Sequence, residues 1–177
     1  MRILAGFLFQ AAFPAWIFFY LIGIGNPDGT DAGVMALTET LKARLTSLAN
    51  LALYNVEMGD EGIAALASLV SHGRMEQLEE FVISQNAALT QQGIITLARA
   101  IDARGLPMLE TLEMSRLTNL TAVGIGGIAL AVIKGCPRLK VIDFWGSGQE
   151  DSSHRDAVTG MLDAVGRAGK VKVIYDE

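Results

Sequence analysis

Apolar residues recur along this chain in a fixed six-residue pattern. In Leu109-Glu110-Thr111-Leu112-Glu113-Met114 the first, fourth and sixth positions are apolar. The same spacing returns at Leu48, Leu51 and Leu53, at Leu78, Phe81 and Ile83, and at Leu139, Ile142 and Phe144. Extended backwards it gives Trp16, Phe19 and Leu21; extended forwards it gives Val171 and Ile174, with Asp176 in the sixth place. The starts at 16, 48, 78, 109, 139 and 171 are 30 to 32 residues apart. A period of that length marks a repeat array, in which each unit is one supersecondary element.

A glycine landmark follows four of these segments. Thr30-Asp31-Ala32-Gly33, Gly59-Asp60-Glu61-Gly62, Thr90-Gln91-Gln92-Gly93 and Thr121-Ala122-Val123-Gly124 occupy equivalent places. After each glycine, apolar residues stand one, four and eight positions on: Val34, Leu37, Leu41; Ile63, Leu66, Val70; Ile94, Leu97, Ile101; Ile125, Ile128, Val132. That spacing places three side chains on one face of a helix. Thr30, Thr90 and Thr121 stand where an N-cap hydroxyl can accept a first-turn amide. In a fifth, degenerate unit Ala157 replaces the glycine, and Val158, Met161 and Val165 are expected to keep the register.

Each unit therefore predicts a short strand, a turn of roughly ten residues and an amphipathic helix. One such unit cannot bury its apolar face alone, so neighbours must stack. The chain resembles a leucine-rich-repeat protein of the ribonuclease-inhibitor-like kind. The L-x-x-L-x-L spacing and the N-x-x-L-T-x-x-G turn that carry the resemblance are most complete from Leu78 to Gly93, with Asn86, Leu89 and Thr90 in place. The resemblance covers about Trp16 to Tyr175. It implies an α/β fold, a curved leucine-rich-repeat solenoid with parallel strands on the concave face and helices on the convex face. Only Asn86 fills the turn-asparagine position. Ile24, Val56, Leu117 and Ser147 occupy it elsewhere, so loop hydrogen bonding is expected to vary between units. The domain reading is one repeat domain over residues 1–177. A remnant or capping helix is expected over 1–15, units start near 16, 48, 78, 109 and 139, and a terminal strand falls at 170–175. The array reads as a fragment of a longer one.

Composition narrows the function. A chain that is 51% hydrophobic and 19% charged has apolar material for a core and is not intrinsically disordered. A net charge of −5 argues against a nucleic-acid binder, which needs basic surface to displace counterions. One cysteine, Cys136, allows no internal disulfide, and two histidines offer little for a metal site. From Ile3 to Pro27 no residue is charged, which by hydropathy raises a membrane-anchored scaffold through residues 3–24. Residues 16–33 fit the repeat register, however, so a strand at 17–22 and a cytoplasmic location are the better expectation.

Enzymatic signals are weak. His72 and His154 are far apart in repeat order, with no nucleophile setting beside either. Cys136 precedes Pro137 at a unit junction, where a small buried residue is expected. Gly124-Ile125-Gly126-Gly127 lacks the lysine of a phosphate loop. Neither an enzyme nor a cofactor is expected. On the face formed by the third, fifth and seventh positions stand Tyr54, Glu80, Glu113, Asp143 and Trp145. Glu80, Glu113 and Asp143 are expected to form a contiguous acidic row flanked by Tyr54 and Trp145. The function so read is a non-catalytic protein-protein interaction module with a basic protein partner. Resemblance to the GTPase-activating branch of the family gives the alternative, a regulator of a small GTPase, for which Arg116 is the one arginine near a strand end.

Overall fold

The computed structural model describes residues 17–22, 30–44, 48–147, 153–167 and 169–175, with the backbone alone at 17–22, 30, 40, 43–44 and 153–155. The repeat units become β1 (Ile17–Ile22), α1 (Thr30–Arg44), β2 (Leu48–Tyr54), α2 (Asp60–Ser71), β3 (Glu80–Val82) and α3 (Gln91–Arg104). They continue as β4 (Thr111–Glu113), α4 (Ala122–Gly135), β5 (Val141–Asp143), α5 (Ser153–Ala164) and β6 (Lys172–Ile174). The six strands form one sheet in chain order, parallel throughout. Each helix packs on the helix before and after it, so the array is a strand layer against a helix layer. The expected helix over residues 1–15 lies outside the described residues.

The core lies between the layers and follows the period. Leu51, Phe81, Leu112 and Ile142 pair laterally in one row, and Leu53, Ile83, Met114 and Phe144 are buried beside them. Ile63, Leu66 and Val70 of α2, and their equivalents on α3 and α4, close the other side. Two expectations shift at the end of the array. Val173, not Ile174, pairs with Ile142, and Tyr175 stacks on Phe144 at 5.9 Å between ring centroids. The sixth unit thus starts at 170, one residue earlier than its sequence suggested; in a pleat of period two that slip exchanges the faces. On α5, Val158 and Leu162 are buried, Met161 is half-buried and Val165 is 44% exposed, so Leu162 takes the inward place expected of Val165.

The corners after β2, β3, β4 and β5 are built from backbone groups. Asn55, Gln85 and Arg116, with Gly146 at the fourth such corner, have positive φ at equivalent positions. The amides of Asn55, Gln85 and Arg116 donate to the carbonyls of Ser84, Ser115 and Trp145 in the next unit. A left-handed conformation costs a non-glycine residue about 1–2 kcal/mol. It recurs because it turns the chain while keeping that amide paired. Asn86 then serves the second unit's turn: its Oδ1 accepts from the amides of Val56 and Met58, and its Nδ2 donates to the carbonyls of Leu53 and Ile83. Ser147 does a smaller version of this for the fourth unit, its hydroxyl accepting from Leu117 N–H and donating to Met114 O. The third and fifth units thus carry the polar turn residue, and Val56 and Leu117, at the same position of the second and fourth, are buried apolar packing.

Helix starts are tied between units as well. Asp31 Oδ1 accepts from the amides of Gly59 and Gly62, and Asp60 accepts from both the amide and hydroxyl of Thr90. A Cβ would sit 2.6 Å from Asp31 Oδ1 on Gly62 and 2.4 Å from Asp60 Oδ1 on Gly93, which accounts for the glycine at those two landmarks; Gly33 and Gly124 have room for one. Thr90 also caps its own helix, accepting from Gln92 N–H, as expected. Thr121 does not; its hydroxyl donates to Gln91 instead. At the far junction Arg167 stands where Leu106 and Cys136 stand in earlier units. Its guanidinium donates to the carbonyls of Ile133, Cys136, Pro137 and Leu139, closing the C-terminal turn of α4.

Two stability measurements check this architecture. Leu112→Ala and Ile94→Ala each remove fully buried methylenes between units and are expected to cost about 2–5 kcal/mol in urea unfolding. A loss below about 1 kcal/mol would place either side chain outside the core. Asn86→Ala orphans several buried backbone groups at about 1–3 kcal/mol apiece, so its cost should exceed that of Ser147→Ala.

Candidate functional site

The outward side of the sheet carries three rows of side chains, because residues two apart on a strand share a face. One row runs Asn50, Glu80, Thr111, Val141, Lys172; the next runs Ala52, Val82, Glu113, Asp143, Ile174. Tyr54, Ser84, Ser115 and Trp145 continue the third row beyond the paired residues. Adjacent members of a row are about 4.8 Å apart at the backbone.

All five expected site residues lie on this face, but not as one line. Glu113 and Asp143 are direct lateral partners. Glu80 pairs with Thr111, so it sits one row away and approaches Glu113 diagonally. The contiguous row is therefore a bent triad, since Glu80 occupies the third strand position and the other two the fifth. Glu80 accepts a hydrogen bond from Asn50 Nδ2, and Asp143 Oδ1 accepts from Trp145 N–H at 2.8 Å. Among the described residues Glu113 has no such donor. It is half-buried, and its carboxyl is pushed up from its ordinary value by burial first, then by the charges of Asp143 and Glu80.

The face is not uniformly open. Over β2 and β3, Ala52, Val82 and Ser84 are buried, and Tyr54 is half-buried. Over β4 to β6, Thr111, Glu113, Ser115, Val141, Asp143 and Ile174 are half-exposed, while Lys172 and Trp145 are exposed. Tyr54 flanks the closed half and Trp145 the open half. The Trp145 indole, 41% exposed, is held by Arg116, whose guanidinium carbon is 4.3 Å from its ring centroid. Gly146 leaves room for this: a Cβ there would lie 3.1 Å from Arg116 Cγ. The sequence reading missed this pair because it joins position eight of one unit to position seven of the next.

Other candidates fall into structural roles. His72 ends α2, exposed, with Nδ1 2.6 Å from Ser68 O. Cys136 is buried, and burial pushes its thiol up to about 12, which keeps it protonated and unreactive at neutral pH. Gly124 to Gly127 lie inside α4, with Gly124 and Ile125 buried against its neighbours. Among the described residues no group of acidic, histidine and cysteine side chains is placed to hold a metal ion. No helix among them is long and apolar enough to cross a membrane. Residues 17–22 of the charge-free stretch form β1, paired with β2, and its remainder lies outside the described residues.

No family model matches the chain, and no curated protein matches it. Among solved structures, a chain in the crystal structure of the yeast Rad7–Elc1 complex is similar over 82% of this chain, at 19% sequence identity and a TM-score of 0.54. The match covers 30% of that chain, so this protein spans under a third of its length. At that identity the likeness shows the fold, strand layer against helix layer.

The electrostatics of Glu113 set a pH dependence. Its folded-state carboxyl binds its proton more tightly than the unfolded one. Its contribution to stability is therefore present below the ordinary carboxylate range and is lost as pH rises through the raised value. Glu113→Gln should match the parent in acid and be more stable near neutrality, as urea midpoints measured across pH would show. A gain of equal size at every pH would contradict the charge-based cause.

Proposed function

We propose that this chain is a non-catalytic protein-interaction module of leucine-rich-repeat kind, whose strand face is concave and binds a basic protein segment. The observation that supports the reading best is the triad Glu80, Glu113 and Asp143 on the outward side of the sheet, with Glu113 lacking a donor among the described residues. A cationic side chain at that point offsets the repulsion that raises the Glu113 carboxyl. Trp145 supplies the kind of exposed aromatic that anchors interfaces. The fold neighbour comes from a protein–protein complex, which agrees with an interaction role. A cytoplasmic location belongs to the same proposal, in keeping with a single, buried cysteine. The GTPase-activating alternative draws less support, because Arg116 is engaged on Trp145.

Affinity capture with charge-reversed variants tests this reading. Proteins retained by the parent should be lost with Glu113→Lys and kept with Glu61→Lys, a reversal on the exposed side of α2. Retention should also weaken with salt, since surface charges are screened over about 8–10 Å at physiological ionic strength. A captured set indifferent to Glu113→Lys would remove the acidic triad as the contact.

A further inference from the structure

The strand face divides into a closed half and an open half, and the open half carries both signs of charge. Over β2 and β3, Ala52, Val82 and Ser84 are buried, and only Asn50, Tyr54 and Glu80 stay half-exposed. Over β4 to β6 the accessible groups differ in kind. Glu113 and Asp143 supply two adjacent carboxylates, with Glu80 behind them. Val141 and Ile174 are half-exposed apolar residues: Val141 is two residues before Asp143 on β5, and Ile174 is beside Asp143 on β6. Trp145 adds the ring face not covered by Arg116. Lys172, paired with Val141, bounds the acidic area with a positive charge.

Resting on the interaction reading above, we propose that the working footprint is the β4–β6 half alone. There it takes an extended partner segment with an arginine or lysine seated at Glu113 and Asp143 and an apolar side chain against Val141 and Ile174. The separations set the spacing. Two residues along a strand is about 6.7 Å and one strand across is about 4.8 Å. In an extended segment, side chains on one face are also about 6.7 Å apart, so cation and apolar residue stand two apart in the partner. Lys172 repels a second cation beyond the apolar position, so the segment carries one positive charge at this site and a neutral or acidic residue past it. Both charge signs are thereby read within three strands.

The test is an amide-resolved NMR titration of the full chain with four blocked tripeptides: Arg-Gly-Leu, Leu-Gly-Arg, Glu-Gly-Leu and Arg-Gly-Gly. One or both peptides carrying arginine and leucine should shift amides of residues 111–116, 141–146 and 172–175. Glu-Gly-Leu should leave them unmoved, and Arg-Gly-Gly should act several-fold more weakly. Glu113→Gln should weaken the arginine-leucine peptides several-fold, and Val141→Ser should abolish their advantage over Arg-Gly-Gly; the unperturbed remainder of each spectrum shows that the variant is folded. Shifts centred on residues 50–54 and 80–84 would overturn the half-face footprint while leaving strand-face binding intact. Shifts confined to helix amides would overturn both. Equal response to all four peptides, or no response to any, would overturn the two-part recognition.

Discussion

Everything on the strand face depends on one constraint: the backbone leaving β2, β3 and β4 must pair with the same point of the next unit. The amides of Asn55, Gln85 and Arg116, all at positive φ, donate to the carbonyls of Ser84, Ser115 and Trp145. A slip of one residue would orphan these groups and turn each core side chain outward. The cost of the left-handed corners is thus tied to the register that buries Leu51, Phe81, Leu112 and Ile142 in a single row. The same register brings Glu113 beside Asp143. Function, on this account, is inherited from packing, since equivalent positions of separate units become one surface only when the corners hold.

The fold was legible because two periodicities agree. The strand pattern at Leu109, Leu112 and Met114 and the helix pattern at Ile125, Ile128 and Val132 demand burial from opposite sides of one core, and all six residues are buried. Legibility failed where a unit lacked neighbours enough to enforce the pattern. In the last strand Val171, Val173 and Ile174 offer two readings, and only pairing with β5 and the stacking of Tyr175 on Phe144 decides between them. The same holds for α5, where Leu162 and Val165 compete for one inward place.

The candidate site was legible by residue and not by arrangement. Which side of the sheet Glu80, Glu113 and Asp143 occupy follows from alternation. Their bend follows from Glu80 being two positions earlier in its unit, a difference already present in the register of unit starts at 78, 109 and 139 and made plain by the strand pairing. The Arg116–Trp145 contact and the four-carbonyl grip of Arg167 join positions that no single-unit pattern connects. Burial of Ala52, Val82 and Ser84 was equally hidden, because a small side chain on an outward row reads the same whether its neighbours cover it or not.

Through-hydrogen-bond NMR couplings across β3, β4 and β5 test the register most directly. The account predicts couplings from Ile83 N–H to Glu113 C=O, Gln85 N–H to Ser115 C=O, Met114 N–H to Asp143 C=O and Arg116 N–H to Trp145 C=O. Couplings displaced by one residue at either strand pair would contradict it, because Glu113 and Asp143 would then no longer share a row.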